Sequence, residues 1–172
     1  DMLHVQHIHG RFNDDGTPRD SVSPTLADDA DGDGVVELLE GLPSYGGILL
    51  SLFDEGNTDN GFNGFPSAPN GIIDFEATYD LSSTTALSDG ITAEDLFPLD
   101  KREIVIHGAF LGDGIGGVGN EMSPMAGYSN FVPVAAGEIV ETTTPIPLPA
   151  AGWLLIAGMG GLAALKRRAR GA

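Results

Sequence analysis

The chain has no cysteine among its 172 residues. That excludes a disulfide framework and any thiolate metal site, and it leaves the redox compartment open. Positive charge is also scarce, with 8 Lys and Arg against 25 Asp and Glu. Four of the basic residues are Lys166, Arg167, Arg168 and Arg170, whereas every acidic residue precedes Thr142. Residues 1–141 therefore carry 4 basic against 25 acidic side chains, a net of −21. Such a body repels phosphate backbones and anionic lipid, so nucleic acid is excluded as a partner. Long stretches of helical periodicity are missing, while Gly (25) and Pro (11) are abundant. The pattern predicts an all-β body with long acidic loops. The chain opens on Asp1 without a secretory leader, which predicts an N-terminally incomplete fragment that has lost a leader and some early strands.

Histidine is rare too, and its placement is informative. Three of the four lie in Leu3-His4-Val5-Gln6-His7-Ile8-His9-Gly10, and the fourth in Arg102-Glu103-Ile104-Val105-Ile106-His107-Gly108. Both stretches read as strands ending at Gly. With a side-chain period of two, His7 and His9 share one face and Ile8 takes the other, and His107 lies opposite Ile104 and Ile106. If the strands are neighbours, three imidazoles converge at one point outside the core. Imidazole suits copper, zinc, iron or nickel. The competing reading is three polar residues on an exposed sheet face.

Asp29-Ala30-Asp31-Gly32-Asp33-Gly34-Val35-Val36-Glu37-Leu38-Leu39-Glu40 matches every fixed position of the EF-hand loop pattern. Calcium takes six to eight oxygens, and this spacing wraps Asp29, Asp31 and Asp33, the Val35 carbonyl, Glu37 and Glu40 around one centre. Pro24 restricts the entering segment. Gly41 and Pro43 are expected to stop any exiting helix within a turn, which predicts an isolated calcium loop between strands. The competing reading is an acidic solvated loop. Asn57, Asp59 and Asn63 form a weaker oxygen cluster, better read as turn chemistry.

Further along, Gly47 to Phe53 is an apolar run expected to form a buried strand. Ile73, Phe75, Ala77 and Tyr79 alternate with Asp74, Glu76 and Thr78 as in a half-exposed antiparallel strand. Thr92 to Asp95 is expected to cap one short helical turn before Pro98. Gly112, Gly114 and Gly117 make a formal G-x-G-x-x-G, but Met122-Ser123-Pro124 cannot begin a phosphate-binding helix, so a dinucleotide site is rejected and a loop over the histidine face expected. Phe131 to Val134 and Glu138 to Val140 are expected to be closing strands.

Residues 142–149 form a Thr/Pro linker, extended by its prolines. Residues 150–165 are apolar, with Trp153 near one interface, and 166–172 form a basic stop. Sixteen apolar residues, or 19 counted from Pro147, are just long enough to span a bilayer with snorkelling ends. The positive-inside bias places the C-terminus in the cytoplasm and the acidic body outside.

Pro145-Ile146-Pro147-Leu148-Pro149-Ala150-Ala151-Gly152-Trp153, the apolar run and the basic cluster closely resemble VPLPA-type C-terminal sorting signals, relatives of the PEP-CTERM tails, with Ile146 in place of the usual Val. The resemblance covers about the last 28 residues. It implies a Gram-negative bacterium, export, anchorage in the inner membrane by the C-terminal helix, and recognition by an exosortase-like protease. Pro147, Leu148, Pro149 and Ala150 would be the processing segment, and Lys166, Arg167 and Arg168 the retention signal. The processed protein would reside at the cell surface or in the extracellular matrix, in reach of extracellular polysaccharide.

The body resembles copper/zinc superoxide dismutases and the related CHRD modules, through His4-x-x-His7-x-His9-Gly10, Arg102 to Gly108, and the Gly-rich Leu111 to Asn120. The likeness implies a Greek-key β-sandwich, places His7, His9 and His107 on copper ligands, and makes His4 a structural histidine. The chain departs from the enzymes in three ways. No histidine lies between His9 and His107, so the bridging ligand and the zinc histidines are absent. Gly127-Tyr128-Ser129-Asn130 stands where the enzymes carry a substrate-guiding arginine, and there is no disulfide. CHRD modules tolerate all three. The expectation is an exported, surface-anchored structural or matrix-associated β-sandwich module with a calcium loop and a histidine metal site for copper or zinc. The alternatives are a copper-only dismutase-like metalloenzyme and a surface protein that binds metal without turnover.

Overall fold

A computed structural model describes residues 2–56, 64–112, 115 and 127–140. These belong to one compact unit, Asp1–Val140. The body is mostly β-sheet with few helices. Its five strands are β1 (Gln6–Phe12), β2 (Pro18–Arg19), β3 (Gly47–Ser51), β4 (Arg102–Leu111) and β5 (Gly127–Glu138). They join in one antiparallel sheet ordered β2-β1-β4-β5, and β3 also pairs with β1. The 57–63 loop, most of the glycine-rich stretch 112–121, and the whole linker, apolar run and basic stop from 141 to 172 lie outside the described residues. Among the described residues no helix is long and apolar enough to cross a membrane.

The two histidine strands are direct neighbours. In β1 and β4, Gln6 lies opposite Ile106, His7 opposite Val105 and His9 opposite Glu103. Residues directly opposite share a face, so His7, His9 and Val105 lie together and His107, two residues beyond Val105, joins them. Neither strand stops at its glycine. β1 runs through Gly10 to Phe12 and β4 through Gly108 to Leu111. Gly108 supports this with φ of +131°, a backbone state that excludes most side chains. The β4–β5 register shifts on both sides of His107, and the β1–β3 register shifts between Ile8 and His9. Bulges re-aim side chains, and here they flank two of the histidines.

On the other face, Leu49, Leu50, Ala86 and Leu96 form the apolar core, with Ile8, Phe12 and Leu52 packed against it. Leu49 is almost wholly buried, and truncating such a side chain to Ala costs about 2–5 kcal/mol. Arg102 closes one end of this core. Its guanidinium donates to the carbonyls of Asp95 (2.7 Å), Leu96 and Arg11 (both 3.3 Å) and lies over the Phe12 ring. The 3₁₀ turn Ala93–Leu96 starts with the expected cap, Asp95 accepting from the Thr92 N–H at 2.7 Å and from its hydroxyl at 2.8 Å.

Three sequence expectations fail. The segment after the acidic loop is not stopped by Gly41 and Pro43, because helix α1 spans Leu38–Tyr45. The Pro43 and Ser44 carbonyls are taken by Arg11 Nη1 at 3.0 and 3.1 Å, and the Tyr45 ring packs over Gly41, where a Cβ could not fit. Tertiary contacts thus override two poor helix formers. The helix ends at Gly46, with φ of +86° and its N–H on the Leu42 carbonyl. Ile73 to Tyr79 forms no strand; Ile73, Phe75 and Tyr79 are half-buried, but the segment has no ladder partner among the described residues. The two expected closing strands are one, β5, which runs without a break from Gly127 to Glu138 against β4.

Candidate metal centre

Strand alternation and the β1–β4 register bring His7, His9 and His107 together. Their ring centroids are 5.3 to 5.9 Å apart. One ligating nitrogen from each lies within 4.8 Å of the other two. The cluster is not on an exposed face. His7 is 7 % exposed and His9 and His107 are 1 % exposed each. The expectation of a point outside the core fails because α1 and the Phe65 segment cover this face. Tyr45, fully buried, packs 4.6 Å from the His9 ring and 6.4 Å from His107, and Phe65 packs 5.8 Å from His7.

The hydrogen bonds set the tautomers. His9 Nδ1 is 2.8 Å from the Gly46 carbonyl and His107 Nδ1 is 2.9 Å from the Phe131 carbonyl. A carbonyl only accepts, so each Nδ1 carries the proton and each Nε2 presents its lone pair. Those two Nε2 atoms, together with His7 Nδ1, are buried and have no hydrogen-bond partner among the described residues. A buried polar atom left without a partner costs about 1–3 kcal/mol. Such atoms on three clustered histidines fit a ligand set, and carbonyls holding the far nitrogen are the usual outer support of metal-binding histidines. This buried cluster can hold a metal ion.

Burial also keeps the imidazoles neutral. It pushes His7 down to about 3, with His9 and His107 adding repulsion, and His9 down to about 4 against the opposing pull of the Gly46 carbonyl. His107 is lowered by burial as well. A neutral imidazole is the form that binds metal. His4 is not part of the triad. Its Nδ1 is 3.1 Å from the His107 carbonyl, and its ring meets Tyr128 edge-on. Tyr128 donates its hydroxyl to the Leu3 carbonyl. These contacts brace the strand ends around Gly108.

The acidic loop leads into α1. Asp29 accepts from the Gly32 N–H at 2.7 Å and the Gly34 N–H at 2.9 Å, and Gly32 and Gly34 both have positive φ. Asp31 accepts from Asp33 N at 3.1 Å, and Asp33 from Val35 N at 2.9 Å. Glu40 reaches back from the helix to the Ala30 N–H at 2.7 Å and the Asp31 N–H at 3.3 Å. Its other oxygen takes the Glu37 N–H at 3.1 Å. The six expected residues therefore divide. Asp29, Asp31 and Glu40 bring carboxylate oxygens within 4.8 Å of one another, as do Asp31, Asp33 and Glu37. Val35 lies between them and contributes its N–H to Asp33.

Glu37 is the unusual member. It caps α1 and faces Glu40 in capping-box fashion, but only the Glu40 arm closes to a full hydrogen bond. Its carboxyl is 2 % exposed, and neither oxygen accepts a hydrogen bond from the described residues. Burial, then a hydrogen bond shared with the Glu40 carboxylate and the nearby Asp33 and Glu40 charges, push it up to about 8. Sequence reasoning missed Tyr45, Gly46, Phe65 and Phe131. Two of these act through a backbone carbonyl, which leaves no mark in a sequence.

No family model matches this chain, and no curated protein or solved structure matches it either.

Proposed function

We propose that this chain is a metal-binding module in which His7, His9 and His107 hold one transition-metal ion. The carrying observation is the set of three buried nitrogens without a hydrogen-bond partner among the described residues, two of them on rings fixed by a carbonyl at the far side. An all-nitrogen donor set suits copper or zinc, and copper(II) binds most tightly in the ordinary divalent order. Bound copper would supply one-electron redox chemistry. The protein's own part is to hold the tautomers through the Gly46 and Phe131 carbonyls and to pack Tyr45 and Phe65 against the rings. The metal site moves the emphasis from a purely structural module to a metal-binding one.

Binding without rapid turnover fits the charge. Superoxide is an anion, and residues 1–141 carry a net of −21. The fourth histidine faces a backbone carbonyl and lies outside the triad. We further propose calcium at the acidic loop, supported by its two converging carboxylate groups and by the buried Glu37, whose oxygens accept no hydrogen bond from the described residues. The setting is an exported β-sandwich of the dismutase/CHRD type with an exosortase-read membrane tail, supported by the sequence resemblances and the antiparallel sheet.

The test is copper(II) titration of the full-length protein with unbound copper removed, read by electron paramagnetic resonance. One equivalent with nitrogen couplings from three imidazoles is expected, and His107→Ala should lose it. A wild-type protein that retains no copper refutes the proposal.

A further inference from the structure

The acidic loop and the histidine cluster occupy opposite ends of one short helix. At its start, Glu37 is the cap, and its buried carboxyl, whose oxygens accept no hydrogen bond from the described residues, converges with Asp31 and Asp33. At its end, Gly46 offers the carbonyl that holds His9 Nδ1 at 2.8 Å. Tyr45 joins the two ends. It is the last residue of α1, yet its hydroxyl donates 2.7 Å back to the carbonyl of Leu38, the first residue and the neighbour of Glu37. Its ring meanwhile packs on His9 and His107. The start of the loop is tied to the same helix, since Ser44 Oγ donates to Asp28 Oδ1 at 2.8 Å. Gly46 also sits against the Gly10 backbone, beside His9, with no room for a side chain. These contacts leave α1 little freedom to shift at one end alone.

We propose that a hard divalent cation, calcium, binds at Asp31, Asp33 and Glu37 and is thermodynamically linked through α1 to the transition-metal centre, so that each ion tightens the binding of the other. The linkage rests on the reading of the triad as a metal site. Its sign follows from charge. Without a cation, the Asp31, Asp33 and Glu40 carboxylates crowd the start of α1 and repel one another, with Glu37 held protonated among them, which leaves the turn that enters the helix holding His9 less firmly fixed. A cation removes that repulsion and holds α1 in place. His9 then keeps its tautomer and orientation before the second metal arrives, and a preorganised site binds more tightly. Linkage between two sites is reciprocal. The cation site uses Glu37 because Glu40 already accepts three backbone N–H bonds.

The experiment uses the full-length protein and two ions. Copper(II) affinity is measured by chelator competition, in calcium-free buffer and with saturating calcium. Calcium affinity is then measured calorimetrically on metal-free and copper-loaded protein. Copper should bind about tenfold tighter with calcium present, within the range common for linked sites, and calcium affinity should rise by the same factor. In Glu37→Gln, and independently in Asp33→Asn, the copper affinities with and without calcium should coincide. Tyr45→Phe, which keeps the ring and loses only the hydroxyl contact, should reduce the ratio to under about twofold. Calcium binding with no change in copper affinity overturns the linkage, and so does a full ratio in Glu37→Gln or Tyr45→Phe. No calcium binding overturns the cation site. Failure of the triad itself shows separately, as a protein that takes up calcium and retains no copper.

Discussion

Lowering the pH should destabilise the metal-free protein through its histidines, by an amount the structure sets. An unfolded imidazole takes its proton near pH 6.5. In the folded protein burial holds His7 near 3 and His9 near 4. The folded state therefore binds fewer protons than the unfolded state between about pH 6.5 and pH 4. Stability should be complete above that window and fall as the pH drops through it. At pH 5 each histidine costs about 2 kcal/mol, and the two together about 4 kcal/mol, from the size of one pKa unit. Small domains have only about 5–15 kcal/mol in total, so the loss should be plain in the denaturation midpoint. The assay is urea denaturation of chelator-treated protein at half-unit steps from pH 7.5 to pH 4.5. Carboxylates add their own slope, so the informative quantity is the difference from His7→Gln. Removing one titrating base should flatten the curve by about 1.4 kcal/mol per pH unit below pH 6. A wild type as stable at pH 5 as at pH 7, or a variant with an unchanged slope, would refute the argument that these imidazoles are buried and neutral.

Gly46→Ala should destabilise the protein by roughly 2–5 kcal/mol, combining a left-handed backbone with overpacking. A Cβ there would lie 2.5 Å from the Gly10 carbonyl carbon and 2.7 Å from Arg11 Cγ. The same variant should weaken copper binding, read by titration under conditions where it remains folded. Copper-loaded protein should not turn over superoxide quickly, and fast turnover that disappears in His107→Ala would overturn the binding-only reading. Deleting Lys166 to Ala172 should impair membrane retention or processing; unchanged localisation and mass would count against a sorting tail.

The candidate site was half legible in the residues. Strand alternation alone puts His7 and His9 on one side and His107 opposite its isoleucines, because a pleated chain must send neighbouring side chains to opposite faces. The acidic loop was legible because its chemistry is local, every carboxylate lying within twelve residues of the others. The Thr92 cap was legible for the same reason. α1 was not. Gly41 and Pro43 argue against a helix, and the groups that overrule them, Arg11 and the ring of Tyr45, act through folded contacts. Nor could alternation say that β1 and β4 pair with Gln6 against Ile106, which is what turns two histidine strands into one cluster. Burial of that cluster also depends on what lies over it, and a face that reads as polar along the strand is covered by Tyr45 and Phe65. The far nitrogens of His9 and His107 are held by carbonyls 37 and 24 residues away. Every residue carries a carbonyl, so only the tertiary fold decides which ones fix a tautomer and leave the Nε2 lone pairs of His9 and His107 within the cluster.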